Sequence, residues 1–203
     1  MKKQICFIHG GSAFSSYDAY IKYLKSTPIR EPFYSGLKKR WKEMLFTELG
    51  DTHDVLYPSM PNSHNACYEE WKIWFERYFE YLTGDVILIG HSQGGIFLAK
   101  YLSENTPNIN IKAVFLVAAP FGYEDLEGEG CGDFIIEKEK LQNIPKQCVK
   151  IHIFHSKDDP IVPVSHGTLY KKALPMAKYM DFKDRGHFLQ ETFPELIKSI
   201  KSL

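Results

Sequence analysis

Residues Gly90-His91-Ser92-Gln93-Gly94 fit G-x-S-x-G, a pattern whose central serine can serve as a nucleophile on a strained strand-to-helix turn. A serine hydroxyl attacks poorly at neutral pH unless a base takes its proton, and histidine suits because its pKa lies near that pH. A carboxylate behind the histidine fixes its tautomer and stabilises the imidazolium. His187, in Gly186-His187-Phe188, follows a late strand-like run within a glycine turn and is the expected base. The acid is Asp158 or Asp159. Asp159 stands directly before Pro160-Ile161-Val162-Pro163 and is preferred, whereas Asp158 could cap the turn.

Acyl transfer also needs N–H donors for an oxyanion. Gln93 offers one at the start of a helix. Gly11, in His9-Gly10-Gly11-Ser12, is the expected second donor, with Ser12 next. That loop matches neither G-x-x-x-x-G-K-[ST] nor G-x-G-x-x-G, so it does not read as a phosphate cradle. Gly128-x-Gly130-x-Gly132 has no strand feeding it and is not a dinucleotide motif. Phe14, Met60, Phe121, Tyr123 and Phe188 follow the loops that carry these groups and are the expected substrate-binding residues.

These side chains need a scaffold that brings them to one edge. Apolar runs at 4–8, 54–57, 86–89, 111–118, 150–155 and 177–182 read as six strands. Helical patterns lie at 17–25, 36–49, 68–82, after Ser92, and at 165–173. The 68–82 pattern carries the stripe Trp71, Trp74, Phe75, Tyr78, Phe79 and Leu82, which reads as core. Thr192-x-x-Glu195, with Pro194 in the first turn, reads as a capping box opening a last helix. Fully apolar strands alternating with helices predict an α/β fold. It has three layers (α/β/α) around a mostly parallel sheet of about six strands, in a single domain over 1–203. Residues 120–145 lack a long pattern and read as a solvated loop or a small cap. In open parallel sheets ligands bind beyond the carboxyl ends of the strands, and His9-Gly10-Gly11, Ser92, Asp158/Asp159 and His187 all fall there.

Composition narrows the function classes. In 203 residues, 25 basic side chains balance 25 acidic ones, which disfavours nucleic acid or an anionic membrane as partner. The longest apolar runs are too short to span a bilayer. Lys2-Lys3 and the following apolar run stop too early, at His9, for an export signal, and a cytoplasmic protein is expected. Cys6, Cys67, Cys131 and Cys148 show no metal spacing and read as free thiols. His152 and His155 point to opposite faces of a strand and are not a metal pair.

With these motifs assembled, the chain resembles the α/β-hydrolase superfamily over essentially its whole length. It looks most like the small, nearly lidless serine hydrolases of the retinoblastoma-binding-protein type and their bacterial relatives. The resemblance rests on His9-Gly10-Gly11, Pro58-Ser59-Met60-Pro61-Asn62 with Trp71, Gly90-His91-Ser92-Gln93-Gly94, Ser156-Lys157-Asp158-Asp159-Pro160-Ile161-Val162-Pro163 and Gly186-His187-Phe188. The chain order Ser, Asp, His is that superfamily's order. The resemblance supports Asp159 as the acid and implies no metal and no cofactor. The chain starts directly on the strand before the oxyanion loop, which implies six strands and a small or absent lid. Residues 14–51 form a longer segment than the smallest members carry and are expected to help roof the site. The implied activity is hydrolysis of a small carboxylic ester, thioester or lactone through an acyl-enzyme, with a small-molecule acyl substrate as partner. An acyltransferase or peptidase with the same three residues, and a non-catalytic interaction module on the scaffold, are the alternatives. Oligomeric state is left open.

Overall fold

The alternation of apolar and amphipathic runs becomes a layered fold in the computed structural model, which describes residues 2–28, 40–122, 126 and 130–203. Among the described residues the strands are β1 (Lys3–Ile8), β2 (His53–Leu56), β3 (Asp85–His91), β4 (Asn110–Val117), β5 (Cys148–Ser156) and β6 (Lys178–Phe182). They form one open sheet in the order β2-β1-β3-β4-β5-β6. Every neighbouring pair is parallel. Parallel neighbours need crossovers, and helices supply them over both faces.

Side chains alternate across a strand, so each strand feeds two cores. Ile5, Phe7, Ile87, Ile89, Phe115, Val117 and Phe154 face α2 (Trp41–Leu49) and α6 (Pro194–Lys201). Cys6, Ile8, Leu88, Val114, Leu116, Ile151 and Ile153 face the opposite way. There they meet α3 (Tyr68–Arg77), α4 (Gln93–Glu104) and α5 (Val164–Ala173). Such two-sided burial is why these strands read as continuous apolar runs. By contrast, α1 (Tyr17–Ser26) has no buried residue and is capped by the Ser16 hydroxyl, which accepts from the Ala19 N–H at 3.1 Å. The cysteines are free, and burial pushes the thiols of Cys6, Cys131 and Cys148 up to about 12.

Two element boundaries differ from the sequence pattern, and a third falls partly outside the described residues. The 68–82 helix ends as α3 at Arg77 and tightens into a 3-10 turn over Tyr78–Tyr81. The 36–49 helix is described from Trp41; its first residues lie outside the described part. The capping box at Thr192 is replaced. Pro194 takes the first helical position, where its missing N–H costs nothing, so Phe193 becomes the cap residue. Glu195 then pairs with Arg185 at 2.6 Å instead of reaching back.

In residues 120–145, Cys131, Phe134, Leu141 and Ile144 are fully buried, and a 3-10 run over Lys138–Lys146 packs beside α4. No helix among the described residues is long and apolar enough to cross a membrane. The sheet order reverses between β1 and β3, the neighbours whose following loops carry Gly11 and Ser92. That reversal opens the crevice in which ligands of parallel sheets bind.

Candidate active site

Ser92 sits between β3 and α4 with φ 54° and ψ −121°, a conformation that L-residues rarely adopt. The turn is held at both ends. The Ser92 N–H donates to the Val117 carbonyl at 2.8 Å, and the Ser92 carbonyl accepts from the Gly95 N–H at 2.8 Å. A Cβ on Gly90 would lie 2.3 Å from the Gly94 carbonyl oxygen, and one on Gly94 would lie 2.2 Å from that of Ile8. Both glycines are steric requirements of this turn.

Ser92 Oγ lies 2.9 Å from His187 Nε2. On the other side of the ring, Nδ1 lies 2.9 Å from Asp159 Oδ2 and 3.1 Å from Oδ1. A carboxylate only accepts, so Nδ1 carries the proton and Nε2 turns a lone pair toward the Ser92 hydroxyl. The Asp159 side chain is fully buried, and its Oδ1 also accepts the N–H groups of Ile161 and Val162 at 2.8 and 3.0 Å. Asp158 turns the other way. Its Oδ1 accepts from the Ser156 hydroxyl and from the Gly186 N–H, which ties the loop after β5 to the loop of His187. The Ser156 hydrogen bond is the main reason its carboxyl is held below the ordinary range. The structure thus brings Asp159 to His187 and gives Asp158 to the turn.

The His187 loop is held by its carbonyls. His91 Nε2–H donates to the His187 carbonyl at 2.9 Å, and Trp41 Nε1–H donates to that of Phe188 at 2.7 Å. The Trp41 backbone N–H donates to the Gln190 carbonyl at 3.0 Å. His91 stays neutral, because burial first and the neighbouring His187 next push its pKa down to about 3. Neither clamp was read from the sequence, where Trp41 stands in an apolar stripe and His91 is a spacer in the serine motif. The available signal was chemical: a buried tryptophan carries an N–H that needs a partner.

The expected oxyanion donors lie on either side of the crevice. Gln93 is the first residue of α4, where a backbone N–H has no partner within the helix. Across from it, Ser12 is no longer available, since its N–H donates to the Ser63 carbonyl at 2.8 Å. Gly11 remains, and His9 orients it. His9 Nδ1–H donates to the Gly10 carbonyl at 2.6 Å, while Nε2 accepts the Met60 N–H at 2.9 Å. A trans peptide points its C=O and N–H in opposite directions, so fixing the Gly10 carbonyl aims the Gly11 N–H away from His9. Burial lowers the pKa of His9, which keeps Nε2 free to accept.

Ser92 and His187 open into a cavity of about 620 Å³, within the usual range for small-molecule sites. Trp41, Tyr57, Ile161, Phe188 and Leu189 supply its apolar wall, and Ser59, Ser63 and His64 line it as well. Arg40 and Lys42 are its charged residues, and no carboxylate lines it among the described residues. Of the four expected substrate-binding residues that are described, only Phe188 lines the cavity. Met60 is drawn into the core at 3 % exposure. Phe121 packs edge-on against Tyr170, with ring centres 4.9 Å apart. Phe14 packs on Tyr20 and Tyr23 at 5.3 and 5.0 Å. Tyr123 lies outside the described residues. The core competes for apolar side chains near strand ends, and the start of α2 supplies the wall instead.

A model of the family described as serine hydrolase matches residues 33–196. The serine hydrolase RBBP9 of Rattus norvegicus is 30 % identical over 148 residues, which cover 73 % of this chain and 76 % of that protein. Among solved structures, the ydeN gene product from B. subtilis is similar in fold, with TM-score 0.75 at 21 % identity over 99 % of this chain and 98 % of that one. The meta-cleavage product hydrolase from Pseudomonas fluorescens IP01 gives TM-score 0.68 at 13 % identity over 98 % and 89 %.

Proposed function

The chain belongs to the serine hydrolase family, and from that premise we propose that it cleaves small carboxylic esters, thioesters or lactones through an acyl-enzyme on Ser92. The observation that carries the reading is the continuous line from Ser92 Oγ through His187 to the buried Asp159, each step at hydrogen-bond distance. In the proposed reaction Ser92 Oγ bonds to the acyl carbon while its proton passes to His187 Nε2. Asp159 holds the resulting imidazolium. The Gln93 and Gly11 N–H groups face the oxygen that gains charge in the tetrahedral intermediate. Collapse breaks the bond to the alcohol or thiol, which leaves with the proton from His187. Water then gives a proton to His187 as its oxygen attacks the acyl carbon, and breaking the Oγ–C bond returns that proton to Ser92 and frees the acid.

A fluorophosphonate tests this reading, with p-nitrophenyl acetate hydrolysis assayed in parallel. Labelling of Ser92 is expected, together with a fall in ester turnover of roughly six orders of magnitude in Ser92→Ala and in His187→Ala. Folded protein that neither labels nor turns over esters, or Ser92→Ala with unchanged hydrolysis, overturns the proposal.

A further inference from the structure

The cavity beside Ser92 is cationic in a chain whose formal net charge is zero. Its charged lining residues among those described are Arg40 and Lys42, both at the start of α2. Lys42 is half-buried, and its ammonium donates to the Tyr57 hydroxyl at 2.9 Å and lies 5.2 Å from the centre of that ring. Neither partner is an anion. The positive charge reaches the reacting edge, since Lys42 helps to lower the pKa of His9 and Arg40 that of His91. An ammonium partly desolvated and, among the described residues, paired only with a neutral hydroxyl and a ring face has surrendered hydration without the return that a carboxylate gives. Asp159, the nearby acid, is fully buried behind His187 and is not part of the wall.

We propose that the substrate carries an anionic group, a carboxylate in the first instance, which Lys42 and Arg40 receive while Ser92 attacks an ester elsewhere on the same molecule. This rests on the hydrolase reading of Ser92 and adds the substrate's charge to it. Tyr57, stacked on Phe7 with ring centres 5.0 Å apart, fixes the direction of the ammonium. A preformed cation of this kind selects by charge and is sensitive to salt.

The test is a pair of matched ester series, each corrected for the uncatalysed rate. One places the anion on the acyl side: p-nitrophenyl hemiglutarate and hemiadipate against their methyl-capped neutral forms. The other places it on the leaving group: 4-acetoxybenzoate against its methyl ester. The wild-type protein should favour the anionic member of at least one series by about tenfold in kcat/KM. The favoured series shows which side of the ester faces Lys42. That ratio should fall toward one in Lys42→Met and with rising ionic strength, should fall partway in Arg40→Gln, and should invert in Lys42→Glu. Because each ratio is internal to one protein sample, a loss of folded protein in a variant does not mimic the result. Turnover of neutral esters with no anionic preference in either series overturns the proposal and leaves the hydrolase reading standing. A preference that Lys42→Met and Arg40→Gln do not move overturns the assignment to these residues. Failure of every ester together with failure of fluorophosphonate labelling overturns both.

Discussion

The turn that carries Ser92 and the loop that carries His187 meet at 2.9 Å, yet they are positioned by opposite means. The Ser92 turn is fixed mainly by its own glycines, closed against backbone of β1 and β4. Its glycines admit backbone where no Cβ fits, and the strained φ of 54° is held between β3 and the first turn of α4. The His187 loop is fixed from a distance, by donors 96 and 147 positions away in the chain, His91 and Trp41. It also carries backbone strain, with Phe188 at φ 52°. The Ser92 geometry thus rests on a short glycine motif closed against the neighbouring strands β1 and β4, whereas the His187 geometry also depends on side-chain donors from β3 and α2.

Breaking the local side should have the larger effect. Gly94→Ala places a Cβ 2.2 Å from the Ile8 carbonyl oxygen and 2.7 Å from that of His9, and backbone atoms cannot step aside. We expect a loss of about 3 kcal/mol or more of stability, a melting temperature lower by roughly 6–12 °C, and no fluorophosphonate labelling of what remains folded. A variant that melts normally and labels at the wild-type rate would mean that local sterics do not set the Ser92 turn. Breaking the remote side is gentler. Trp41→Phe keeps a ring in the wall but removes the indole N–H, leaving the buried Phe188 carbonyl without its donor. This should cost about 1–3 kcal/mol. If Trp41 positions the base, kcat and the labelling rate should fall about tenfold with little change in KM. A purely structural role would lower the melting temperature alone.

The same contrast explains what could be read from the chain. The Ser92 motif and the six strands were legible because each is a contiguous pattern: glycines around a serine, or a run that is apolar because both of its faces are covered. The preference for Asp159 over Asp158 rests on its place before Pro160-Ile161-Val162-Pro163 and on the family resemblance; residue types alone do not decide it, since it depends on which carboxylate the turn rotates toward His187. The clamps on the His187 loop could not be placed because hydrogen bonds to carbonyls leave no mark on the accepting residues, and the one signal, the need of the Trp41 N–H for a partner, does not say which carbonyl it finds. Apolar residues beside the loops were read as substrate wall, but Met60 and Phe121 went to the core, and Trp41 and Tyr57 took that place. Thr192 looked like a helix cap until Pro194 claimed the first turn.

A third histidine, belonging to neither region, sharpens the comparison because it is buried without a role in the site. His152 is 5 % exposed and stacks on Phe115 at 4.4 Å, and its Nδ1 has no hydrogen-bond partner among the described residues. Burial first, then Lys178 and Lys150, push its pKa down to about 4. In the unfolded chain the value returns to about 6.5. Between these limits the unfolded state holds a proton that the folded state does not, so stability rises with pH at about 1.4 kcal/mol per unit for this one group. His91 and His155, both pushed down to about 3, act in the same direction. His152→Phe keeps the stacking and deletes one of these titrations. The slope of unfolding free energy against pH, measured by urea denaturation between about pH 4 and 6.5, should drop by about one proton's worth, with Ser92 labelling at neutral pH unchanged. An unaltered slope would mean that His152 is protonated in the folded protein or reaches water. A lost label would mean that the interior of the sheet, and not only the two loops at its edge, sets the geometry of Ser92.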